Sequence, residues 1–126
     1  MKSAQDLVTA AKAAITEISL DDAESALSTI DVLIDVREAN EFLDGHIKDS
    51  INIPRGLLEF SLSTNESLQD RSRQILVYCK SSGRAALAAQ TMQNMGYRHV
   101  RSISGGFDAW KDAGKPVVYS PKPDFG

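Results

Sequence analysis

The chain has 126 residues, 42% of them hydrophobic and 25% charged, values ordinary for one globular domain with one sizeable core. A net charge of −3 supplies no basic field, which argues against nucleic acid as the main partner. No apolar run approaches the roughly 20 residues of a membrane span, and the single cysteine excludes an internal disulfide.

Residues 1–14 read as a helix, with Leu7, Val8, Ala11 and Ala14 at helical spacing. Its apolar stripe is thin, as for an appendage on the domain edge, and lacks the uninterrupted apolar centre of a secretory signal. Residues 15–19 fit a short strand. Residues 20–27 fit a helix with acids in its first turn, which suits the helix dipole. The run Val32 to Arg37 is β-branched, strongly apolar and ends on charges, the pattern of a central strand covered on both faces. A short helix over 38–43 is closed by Gly45, and Ile51 to Pro54 fits a brief strand stopped by proline. Residues 55–62 fit a helix or an irregular lid, and 63–67 a polar loop. Ile75 to Tyr78 is predicted as a buried strand, and 84–95 as an alanine-rich helix capped by Gly96. Residues 99–103 fit a strand, 107–113 a helix closed by Gly114, and Pro116 to Val118 the start of an extended tail.

Strands and helices alternating at this spacing predict an α/β fold: a mostly parallel sheet with helices on both faces and its ligand outside the carboxyl ends of the strands. Two polar stretches fall there, Asp35-Val36-Arg37 and Cys79 to Arg84, and one pocket is expected between them. A strand–loop–helix turns backbone N–H groups into one concavity at a helix N-terminus, which attracts negative charge. A cysteine at its mouth would have its nucleophilic thiolate stabilised. The plainer reading of Cys79 is a small buried hydrophobe. The polar loop Lys80, Ser81, Ser82, Gly83, Arg84 favours the reactive one.

Three segments resemble the rhodanese homology domain in its single-domain form. Asp35 to Ile47 with Ile51 to Pro54 resembles its amino-terminal signature, Val77 to Arg84 its catalytic loop, and Gly105 to Val117 its carboxy-terminal signature. The resemblance implies a five-stranded sheet spanning 15–118, with 1–14 as an amino-terminal helical extension and 119–126 as a carboxy-terminal tail. It also implies a sulfurtransferase: Cys79 accepts sulfane sulfur as a persulfide, and the amides of Lys80, Ser81, Ser82, Gly83 and Arg84 cradle the departing anion. Four residues separate Cys79 from Arg84, the shorter loop of sulfurtransferases; related phosphatases and arsenate reductases have one more. Ser82 and Ala85 stand where many members have glycine and a hydroxyl residue. The implied partners are a small-molecule sulfur donor such as thiosulfate and a thiophilic acceptor, with a protein thiol among the acceptors. No metal, cofactor, nucleic acid or membrane is expected, and the lone thiol fits the cytoplasm.

Arg37 is an ion-pair partner of Asp35 or part of the pocket lining, and Asp35 reads as structural. His46 reads as a hydrogen-bonded packing residue and His99 as surface. Phe107 and Trp110 read as core contacts, and Arg71 and Arg73 as solvated. The competing functions are a sulfur-relay or binding module with little turnover of its own, a phosphatase-like or arsenate-reducing enzyme, and a silent interaction domain.

Overall fold

In a computed structural model, which describes residues 1–119, five strands form one sheet in the order β1-β5-β4-β2-β3. They are β1 (Thr16–Ile18), β2 (Val32–Asp35), β3 (Ile51–Asn52), β4 (Gln74–Tyr78) and β5 (His99–Ile103), and every pairing is parallel. The helices are α1 (Ala4–Ala14), α2 (Leu20–Ala26), α3 (Ala39–Leu43), α4 (Leu58–Thr64), α5 (Gly83–Asn94) and α6 (Gly106–Asp112). None of them is long and apolar enough to cross a membrane.

Side chains alternate across a strand, so one run of apolar residues feeds two cores. Ile34, Ile75, Val77 and Val100 pack with Leu58 and Leu62 of α4 and Ala85, Ala88, Ala89 and Met92 of α5. Leu33, Leu76, Tyr78 and Ile103 face the other way, toward Ala23 of α2 and Phe107 and Trp110 of α6. Each large side chain buried in this way contributes about 1.5–3 kcal/mol. The fully buried alanines of α5 let that helix lie close on the sheet, where a larger residue would overpack.

The boundaries differ from expectation for physical reasons. Strand β2 ends at Asp35 rather than Arg37, because the Asp35 carboxylate accepts the Arg37 amide and turns the chain. The expected polar loop over 63–67 is partly helical. Buried Leu62 carries α4 on through Thr64, and Asn65 caps a 3-10 turn, Glu66–Leu68, anchored by buried Leu68. Pro116 to Val118 is not free: Val118 and His46 exchange backbone hydrogen bonds at 2.9 Å in an antiparallel bridge. Of the expected tail over 119–126, residues 120–126 lie outside the described residues.

Candidate active site

Cys79 follows the carboxyl end of β4, and the next three residues lead into α5. The start of α6 fixes how this loop faces. The amides of Phe107 and Asp108 donate to the carbonyls of Cys79 and Lys80, at 2.8 and 3.0 Å. A trans peptide points its N–H opposite its C=O, so drawing these carbonyls toward α6 turns the following amides the other way. The Ala85 amide lies 3.3 Å from the Cys79 Sγ, and the Ser81 and Arg84 amides also favour its charged form. The close approach of α6 needs glycine. Gly105 and Gly106 have φ of +79° and +62°, and a Cβ on Gly106 would overlap the Ser81 carbonyl oxygen and lie 2.5 Å from that of Cys79. The sequence marked these glycines as a loop without showing what they bracket.

The thiol itself departs from expectation. Cys79 is 1% exposed and belongs to the core cluster with Val36 and Val77. Burial pushes its pKa up; the Ala85 amide, the Arg84 charge and the Ser81 and Arg84 amides oppose this without cancelling it. In the free protein the cradle therefore does not outweigh desolvation.

The cations near the loop are held by carboxylates. Arg84 donates to both oxygens of Glu41 on α3, at 2.7 and 3.1 Å. That pair holds the Glu41 carboxyl down to about 2, against its own desolvation. Lys80 is exposed and pairs with Asp108 at 2.8 Å. Arg37 is turned into the fold. It is 4% exposed, donates to both Asp35 oxygens and to the Gly45 carbonyl, and lies over the Phe107 ring at 4.2 Å. The structure thus pairs Arg37 with Asp35 inside the fold. Asn52 holds the same turn by donating to the Asp35 and Arg37 carbonyls.

Of the loop residues, Ser81 is exposed, and Ser82 and Gly83 are half-buried. Ser82 is reached by Lys12 of α1, whose Nζ lies 2.6 Å from its Oγ. Sequence reasoning missed this contact, as it missed Glu41 and Tyr78. Tyr78 accepts the Ile47 amide at 3.1 Å and lies 3.0 Å from the Ser50 hydroxyl; burial and nearby Asp35 push its phenol well up. His46 packs as expected, stacked on Phe42 with ring centroids 3.7 Å apart and Nδ1 donating to the Phe42 carbonyl at 2.9 Å. Arg71 and Arg73 are not merely solvated. Arg71 donates to the Met95 carbonyl and lies over Tyr97, and Arg73 donates to the Ser67 carbonyl.

A concavity of about 470 Å³ lies at the other end of the sheet, lined by Leu27, Ile30, Val32 and Lys48 among others. Val32 begins β2 whereas Cys79 follows the end of β4. In a parallel sheet these are opposite ends, and the concavity is not part of the cradle.

The Rhodanese-like domain family matches residues 19–113. Over 92 residues the chain is 35% identical to thiosulfate sulfurtransferase 16, chloroplastic, of Arabidopsis thaliana, covering 67% of this chain and 77% of that one. Over 100 residues it is 34% identical to the mitochondrial protein HIGH ARSENIC CONTENT 1 of the same plant, covering 73% and 59%. A solved structure from Rhodopseudomonas palustris, a protein of unknown function named a possible tyrosine phosphatase, superposes with TM-score 0.85 at 31% identity, covering 94% of this chain and 96% of that one. The chain spans about half to three fifths of the length of several curated relatives it matches.

Proposed function

This chain belongs to the rhodanese-like domain family, and we propose that it is a sulfurtransferase in which Cys79 carries sulfane sulfur between a thiosulfate-like donor and a thiophilic acceptor. The carrying observation is the set of loop amides, from Ser81, Arg84 and Ala85, turned onto the only thiol of the chain. The Cys79 thiolate attacks the outer sulfur of thiosulfate. The S–S bond of thiosulfate breaks, sulfite leaves with its electron pair, and the loop amides stabilise it. The cysteine persulfide then gives its outer sulfur to cyanide, forming thiocyanate and restoring the thiolate; a protein or small-molecule thiol takes that place in the cell. A reduced lone thiol suits a cytoplasmic setting.

A sulfur-relay module is the second reading. It is favoured by the burial of Cys79 and by the pairing of Arg84 and Lys80 with carboxylates, which slow capture of a free anion. Phosphoryl or arsenate chemistry fits less well, because a loop of four residues between Cys79 and Arg84 is narrow for a tetrahedral anion.

The test is thiocyanate formation from thiosulfate and cyanide by wild type and Cys79→Ser, with intact masses after thiosulfate alone. Wild type should form thiocyanate and gain one sulfur, and Cys79→Ser should do neither while keeping its melting temperature. A stable added sulfur with little thiocyanate supports the relay reading. Turnover that survives the loss of Cys79 overturns the mechanism.

A further inference from the structure

We infer that Lys12 of the amino-terminal helix is a positioning residue of the anion cradle: through the Ser82 hydroxyl it holds Ser82 in a backbone conformation that does not cap α5, and so keeps the first amides of α5 turned onto Cys79 and an anion bound there. The inference rests on the proposed reading for the identity of the anion, though its test does not.

Among the described residues, three serines stand immediately before a helix. Ser3 and Ser19 have extended backbones, with φ and ψ of −82° and 169° and of −67° and 164°. Each accepts the amide of the third residue onward, Asp6 and Asp22, at 3.1 Å. This is the ordinary N-cap, which satisfies an orphan donor. Ser82 differs. Its φ and ψ are −155° and −12°, and its side chain makes no cap hydrogen bond. Its Oγ is instead taken by the Lys12 Nζ at 2.6 Å. Lys12 forms no ion pair among the described residues, whereas Lys80, Arg84 and Arg37 each have one. A capping hydroxyl on the α5 amides would compete with any anion for the same donors.

The neighbouring contacts make Lys12 a built part of this arrangement. Helix α1 packs along α5, Ala11 is fully buried, and a Cβ on Gly83 would lie 3.5 Å from the Val8 side chain. Residues 1–14 lie outside the family match over 19–113, so Lys12 is not among the residues that carry that match.

The test uses the full-length protein labelled with nitrogen-15 and sodium sulfate as probe, at ionic strength held constant with sodium chloride. The amide shifts of Gly83, Arg84 and Ala85 are followed by NMR. In wild type they should move saturably. Lys12→Met should weaken sulfate binding about fivefold, the order of one helix cap. Lys12→Arg should bind as wild type. The double variant Lys12→Met with Ser82→Ala should recover wild-type affinity, because no hydroxyl remains to cap. Circular dichroism melts check that each variant is folded. A single variant that binds like wild type overturns the inference. So does a wild type with no saturable shift, or a double variant as weak as the single, which would assign the effect to charge alone. Sulfate binding without thiocyanate formation would sink the transfer reading and leave the role of Lys12 standing.

Discussion

At Cys79 two effects act on one sulfur in opposite directions. The Ser81, Arg84 and Ala85 amides and the Arg84 charge favour the thiolate, and burial favours the thiol. Because burial wins, the folded protein holds the proton above the ordinary thiol value of 9.0. The thiolate fraction therefore grows with pH throughout the neutral range. Under the proposed mechanism the thiosulfate kcat/KM should rise steadily with pH and still be rising at pH 9.0, whereas a thiolate formed by the loop would give a plateau well below that. A stopped assay across the pH range distinguishes the two. The residues themselves made the cysteine and its polar loop legible. The loss of solvent around the sulfur was not legible, because Cys79 joins a core cluster with residues as distant as Val36 and Val100, which only the folded chain brings together. Likewise the Arg84–Glu41 pair joins residues 43 positions apart, and no local pattern announces it.

Between elements, the decisive contact is α6 on the Cys79 loop. Helix α6 is short and makes no side-chain cap hydrogen bond; the Cys79 and Lys80 carbonyls take its first amides instead. One contact thus satisfies the helix start and orients the loop. Gly106→Ala breaks it in two ways: a residue with Cβ is forced to a φ of +62°, and the methyl meets the Cys79 and Ser81 carbonyls. The expected cost is about 3 kcal/mol of stability, with transfer activity lost even in the fraction that stays folded. A denaturant titration beside the thiocyanate assay measures both, and a folded, active Gly106→Ala protein would dismiss α6 as the support of the loop. Continuous apolar runs and helical spacing gave away most elements, since the core strands carry large apolar residues on both faces. They failed at Ser63 and Thr64, poor helix formers that stay helical because Leu58 and Leu62 are buried beneath them, a tertiary effect that outweighs propensity.

Across the whole molecule, the amino-terminal helix decides how far the site extends beyond the sheet. Its sparse apolar stripe reads as an edge appendage, yet its small residues are what permit close packing on α5. Ser82, Gly83 and Ala86 share one face of α5. The first two meet Lys12 and Val8, and Ala86 is fully buried although it stands outside the sheet-side core. Ala11, also fully buried, is the matching small residue on α1. Ala11→Asp places an unpaired carboxylate in this contact, at a cost of about 3 kcal/mol. That is more than a short helix contributes by itself, so α1 should detach before the sheet melts. Hydrogen exchange should then show α1 amides losing protection while β4 and β5 keep theirs, and sulfate affinity should fall as it does in Lys12→Met. A Ser82→Ala change added to Ala11→Asp should restore that affinity without re-docking the helix. If α1 detaches and sulfate still binds with wild-type affinity, the extension is packing alone, and the cradle is complete within the sheet, α5 and α6.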